Sequence, residues 1–146
     1  MTQIQKQLDE IIVGLKRIKS LRNVRFVREY GTHKAEVPIN GMLAVVSVKE
    51  SVLSNSYIGG YLSASVRGDQ YSANAEIRVY APSDKSGAGL SETVGEILSG
   101  LKIADENKII TESSATPIAF DSDMNAVYRT VKFAVDFCLC EEEQLD

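Results

Sequence analysis

Apolar residues recur along this chain at two different periods, and the changes of period divide it into elements. From Thr2 to about Ser20 they fall three and four apart, at Ile4, Leu8, Ile11, Ile12, Leu15 and Ile18. That spacing predicts an amphipathic helix with one buried stripe. Thr2 with Gln5 three residues later fits a capping box at its start. Val24–Tyr30 alternates loosely, with Val24, Phe26, Arg28 and Tyr30 on one face, and predicts a strand that Gly31–Lys34 breaks. The run Val37-Pro38-Ile39-Asn40-Gly41-Met42 carries Asn-Gly, the pair suited to a type I′ turn, so a hairpin is expected there.

Met42–Lys49 then reads as an apolar strand, and the Ser-, Asn- and Gly-rich stretch Ser51–Gly60 as its continuation or a bulge. Tyr61–Val66 and Tyr71–Ala81 read as two further strands joined by Arg67-Gly68-Asp69-Gln70. In the second, Tyr71, Ala73, Ala75, Ile77, Val79 and Ala81 face one way, and Ser72, Asn74, Glu76, Arg78 and Tyr80 the other. Pro82–Gly89 is a polar, glycine-containing loop. After it the period lengthens again, with Leu90, Val94, Ile97, Leu98 and Leu101 forming the stripe of a second helix, Leu90–Ala104.

Asn107–Thr116 predicts a strand, Asp121–Asn125 a turn, and Ala126–Cys140 one long alternating strand before the acidic tail Glu141–Asp146. Val127, Val131, Phe133, Val135, Phe137 and Leu139 share one parity of that strand, broken only by Arg129. At about 3.3 Å per residue it spans roughly 45 Å, well beyond the usual strand of ~5–6 residues. Such length suits pairing with more than one neighbour, another subunit included. Helix, several strands, helix and two strands predict an α+β fold: an antiparallel or mixed sheet with two amphipathic helices packed on one face.

The chain has 146 residues, one domain's worth, and is read as a single domain over 1–146. Its 44% hydrophobic and 25% charged residues are ordinary for a globular protein. No apolar run approaches the ~20 residues of a membrane helix, and the polar start Met1–Glu10 predicts neither signal peptide nor membrane contact. The expected location is the cytoplasm. Net charge is −4 but unevenly spread. Residues 16–34 hold Lys16, Arg17, Lys19, Arg22, Arg25, Arg28 and Lys34 against the single acid Glu29, while the last six residues hold four acids. An acidic chain of this kind is not expected to bind nucleic acid specifically.

Motifs that carry chemistry are weak. Ser86-Gly87-Ala88-Gly89-Leu90-Ser91-Glu92 lies between a strand and a helix as a phosphate loop does, but it lacks the third small residue of the dinucleotide fingerprint and the Lys of a P-loop. Asp121-Ser122-Asp123-Met124-Asn125 begins like a calcium loop, yet Ala126 and Lys132 stand where glycine and a bidentate glutamate belong. A polar hairpin turn accounts for it. His33 lies near Glu29, Lys34 and Glu36 without a nucleophile in a recognisable setting. Cys138 and Cys140 are two apart on one strand face, about 6.5–7 Å between Cα atoms, at or past the reach of an unstrained disulfide. They are read as free structural thiols. No catalytic residue, metal site or cofactor is therefore expected.

In the order of its elements the chain resembles the small neck proteins of tailed bacteriophages, especially the tail-terminator and tail-completion group. The stretches that carry the resemblance are Ile4–Ile18, Val37–Val48, Tyr71–Ala81 with its loop, Leu90–Leu101, and the pair Lys108–Thr116 and Ala126–Leu139. Asn125–Val135 in particular looks like the closing strand of such proteins. The resemblance implies a structural protein of a phage or prophage-derived particle, assembled in the host cytoplasm and then part of the virion. It implies a ring, commonly a hexamer, that caps the tail tube, ends its polymerisation and offers a docking face to the head connector. The implied partners are further copies of the chain, the tail tube protein, and sheath or connector proteins. The contact surfaces expected from the residues are Pro82–Gly89, Lys16–Arg28 and Glu141–Asp146. A head-completion or connector protein of the same particle is the near alternative. A small α+β ligand-binding module is the alternative from another class, and a small enzyme comes third.

Overall fold

A computed structural model describes residues 3–28, 39, 41–61, 66–83, 87–105 and 109–142. The elements run α1 (Gln3–Lys16), a 3-10 turn (Lys19–Leu21), β1 (Arg25–Arg28), β2 (Leu43–Tyr61), β3 (Val66–Pro82), α2 (Leu90–Ala104), β4 (Ile110–Ala115), β5 (Ala119–Asp121) and β6 (Ala126–Glu142). The strands form one mixed six-stranded sheet in the order β1-β2-β3-β6-β4, with β5 also on β6. This is the expected α+β class.

Side-chain alternation decides which face is buried. Ala44 and Val46 of β2, Ala73 to Ala81 at odd positions of β3, and Val131, Phe133 and Val135 of β6 form one core with Leu8, Ile11 and Leu15 of α1 and Leu90, Val94, Ile97 and Leu101 of α2. Both helices therefore pack against the same face of the sheet. They approach each other closely because small residues stand at the crossing. A Cβ on Gly14 would lie 2.7 Å from that of Ala104, and one on Gly100 would lie 2.6 Å from Ile18 Cδ1. The first helix ends earlier than its apolar stripe suggests. Ile18 N–H donates to Leu15 O at 3.1 Å and Leu21 N–H to Ile18 O at 3.0 Å, tightening the chain into 3-10 geometry and turning Leu21 into the core.

Two expectations need correction, and a third, the hairpin at Val37–Met42, falls largely outside the described residues. Among the described residues β1 and β2 run parallel, with Arg25 opposite Leu43 and Arg28 opposite Val46. Residues 29–38 and 40 lie outside the described ones. The ends of the expected strand Tyr61–Val66 belong to two different strands, Tyr61 ending β2 and Val66 opening β3, while 62–65 are outside the described residues. Arg67–Gln70 is not a connection but part of β3, paired in register with Glu141 to Cys138 of β6. The bulges expected in the Ser51–Gly60 stretch do occur in β2, with register shifts at Leu53/Asn55 and Ser56/Tyr61.

The β3–β6 ladder is continuous from Pro82 opposite Ala126 to Val66 opposite Glu142. A 17-residue strand extends about 55 Å at ~3.3 Å per residue, whereas α2, with 15 residues, is about 22 Å long at ~1.5 Å per residue. The β2–β3–β6 part of the sheet therefore runs far beyond the length of the helices that cover it.

Candidate assembly surfaces

The loop Pro82–Gly89 sits where β3 hands over to α2. Gly87 and Gly89 have φ of 70° and 80°, and Gly87 packs so close to β6 that a Cβ there would meet Val127 Cγ2 at 2.7 Å. Leu90 N–H donates to Gly87 O and Thr93 N–H to Gly89 O, starting the helix. The glycines are thus accounted for by backbone geometry. Residues 84–86 of the loop are outside the described ones.

At the other end of the ladder, Glu141 and Glu142 belong to β6, opposite Arg67 and Val66. The acidic tail begins inside the sheet rather than after it, and 143–146 are outside the described residues. Loop and tail lie at opposite ends of a ladder about 50 Å long and form no single site. Cys138 and Cys140 are both in β6, opposite Gln70 and Gly68. His33, with Glu29, Lys34 and Glu36, is outside the described residues.

The basic stretch Lys16–Arg28 covers the end of α1, the 3-10 turn and β1, an edge strand whose paired neighbour among the described residues is β2. Lys16, Arg17, Lys19, Arg22 and Arg25 are exposed. Arg28 shares the parity of Phe26, so it points towards the helices and pairs with Asp9 of α1.

The opposite edge is formed by β4 and β5, which pair in succession along β6. Here the side chains of residues 111–114 and 117–120 are exposed, and Ile118 and Phe120 each keep 57% of their surface in solvent. From Ser113 to Phe120 the edge carries no charge. Sequence reading missed this surface because it placed one strand over 107–116 and passed directly to the turn. The available signal was the uncharged run itself with its two large apolar side chains.

The face of the sheet turned away from the helices is polar and aromatic. Tyr80 and Tyr128 stand opposite each other with ring centroids 5.5 Å apart, and the Arg78 guanidinium lies 4.8 Å from the Tyr128 centroid. Tyr80 donates its hydroxyl to Asp121 Oδ2 at 3.3 Å. Burial pushes the Tyr80 phenol above its ordinary 10.0, opposed by the hydrogen bond from Arg78. That same bond raises the Arg78 guanidinium. Asp121 Oδ1 also accepts from the backbone N–H of Asp123 at 2.9 Å and of Met124 at 3.2 Å. The Asp121–Asn125 segment is accordingly a β5–β6 hairpin turn, with Asn125 at φ 46°.

Two open grooves flank these features. One, about 410 Å³, lies over Asn74, Glu76, Glu112, Ser114, Lys132 and Ala134 on the polar face. The other, about 360 Å³, lies between α1 and the end of α2 beside Val13, Arg17, Ala104 and Asp105. Among the described residues no three His, Cys, Asp or Glu side chains gather as metal ligands, and no described helix is long and apolar enough to cross a membrane. The chain matches no protein-family model and no curated protein.

Proposed function

We propose that this protein is a structural assembly component of a phage or prophage-derived tail particle. It forms a ring that caps the tail tube, ends tube polymerisation and presents a docking face to the neck. The observation that carries the reading is the β2–β3–β6 sheet that outruns its helical layer. A sheet of this length offers paired backbone and two faces well beyond what the core of a 146-residue chain requires. The order of helix, strands, helix and closing strands, which resembles that of the neck-protein group, supports the same reading. So does the uneven surface, basic along one sheet edge and uncharged to acidic along the other, since rings are built from heterologous contacts.

In this role the protein works by geometry. It occupies the growing end of the tube through a surface complementary to the last tube ring, and its outward face fails to template another. The test is addition of the purified protein to growing tail tubes. Tubes that stop lengthening and carry the protein at one end support the reading, and tubes that lengthen unchanged with bare ends overturn it. A head-completion protein would instead bind the connector and leave tube length unaltered.

A further inference from the structure

Among the described residues, the two edges of this sheet are complementary to each other. Strand directions alternate so that β1 and β2 run one way, β3 the other, β6 with β1, and β4 against it. A second copy placed to continue the sheet therefore brings its β1 antiparallel to β4, the geometry in which short edges pair most readily.

Charge favours the same arrangement. Residues 16–28, ending in β1, contain six cations and no acid, whereas residues 109–128, which hold β4, β5 and their turn, contain Glu112, Asp121 and Asp123 and no cation. Arg25 and Glu112 are both exposed and both lie on the face of the sheet away from the helices. Arg25 is opposite Leu43, which is opposite Tyr80, and Glu112 is opposite Ala134, which is opposite Asn74.

Edges of folded sheets are ordinarily blunted by charge or cover, since a flat, uncharged edge templates pairing with another chain. Along β4 the side chains of 111–114 are exposed, and Glu112 is its single charge. Within either strand no proline interrupts this edge, because Pro117 falls between β4 and β5.

We propose that the β4 edge of one copy receives the β1 edge of the next, so that the sheet continues from subunit to subunit with Arg25 facing Glu112. This names the subunit contact of the ring proposed above and rests on that reading for its closure. Being head-to-tail, it uses two different surfaces of each chain.

The test compares the solution mass of the full chain with that of R25E, E112R and the R25E/E112R double variant, all substitutions of exposed residues. Far-UV circular dichroism checks the fold of each. The expected result is a multiple of 16.0 kDa for the parent, collapse to 16.0 kDa in either single variant, and recovery of the multimer in the double variant. Mixing the two single variants is expected to restore the multimer with the two alternating, since every contact between unlike variants then joins opposite charges. A parent multimer that survives both single substitutions overturns the proposal while leaving the ring intact. Dissociation by E112R but not by R25E also overturns it, because β4 would then pair with itself. A monomeric parent that still stops tube growth overturns this contact alone, whereas a multimer with the expected variant pattern that ignores tubes overturns the tail function alone.

Discussion

Asp105 holds the β4 edge in place, and its removal gives the sharpest test of how that edge is built. The residue follows α2, where its backbone N–H donates to Leu101 O at 3.0 Å. Its side chain is one of two buried polar residues among those described, with 6% of the residue exposed. One carboxylate oxygen accepts from Ile109 N–H at 2.9 Å and the other from Ile110 N–H at 2.8 Å. Ile109 O in turn accepts from Asp136 N–H of β6 at 2.8 Å. The carboxylate therefore sets where β4 begins and how it registers on β6.

Each hydrogen bond to a charged group contributes about 1.5–3 kcal/mol, and an orphaned buried donor forfeits most of that. Ile109 and Ile110 are only half-buried, so water can reach their N–H groups once the carboxylate is gone. The lower end of the range then applies to both bonds, and Asp105→Ala is expected to cost about 3 kcal/mol. For a chain of this size that corresponds to a fall in Tm of about 6–12 °C. Asp105→Asn keeps one acceptor oxygen and is expected to lose about half as much. Urea unfolding followed by circular dichroism measures both. An Asp105→Ala midpoint within about 0.5 kcal/mol of the parent refutes the reasoning. So does an Asp105→Asn protein as stable as the parent, because both oxygens are then not needed.

Other expectations follow from single positions. Gly95 and Gly100 lie in the same helix but call for opposite outcomes. Gly95→Ala meets nothing within 4 Å and should stabilise by about 0.5–1 kcal/mol, whereas Gly100→Ala drives its Cβ into Ile18 and Leu15 and should destabilise by about 1–2 kcal/mol despite the better helix propensity. Thermal melts of the pair give the two signs, and a common sign contradicts the packing described. Leu15→Ala empties a fully buried site between the helices and should cost about 2–5 kcal/mol in denaturant unfolding. Tyr80 holds its proton more tightly when folded than when unfolded, so its contribution is fully present below pH 10 and is lost as pH rises above it. Tyr80→Phe should therefore flatten the alkaline decline in stability, and an unchanged alkaline profile counts against it.

Local periodicity carried the helix stripes well. Leu90, Val94, Ile97 and Leu101 are buried as their spacing predicts, and so are Leu8, Ile11, Ile12 and Leu15. Parity along β3 and β6 was equally legible, because a strand that buries one face alternates on its own. Even the break at Arg129 has a local cause. It lies at the rim of the core, where Nε donates to Thr116 O at 2.8 Å and Nη1 to Ser91 Oγ at 3.3 Å.

What escaped reading was set by tertiary pairing. The parallel partnership of β1 and β2 leaves no local signal, because it depends on contacts between segments apart in sequence. Arg67–Gln70 has the composition of a connection, yet it is held in β3 by its register with β6. The β4–β5 edge shows no alternation to detect because neither of its faces is buried over residues 111–114. The polar cluster of Arg78, Tyr80, Tyr128 and Asp121 joins residues up to 50 positions apart, a juxtaposition that only the sheet supplies.

Assembly is the property that decides the proposed function. The most direct measurement is mass in solution over a concentration series, with electron micrographs of the same sample alone and mixed with tail tubes. A closed ring of about six chains of 16.0 kDa, seated at one end of each tube, is the predicted result. A 16.0 kDa species at every concentration, with tube ends left bare, would contradict it.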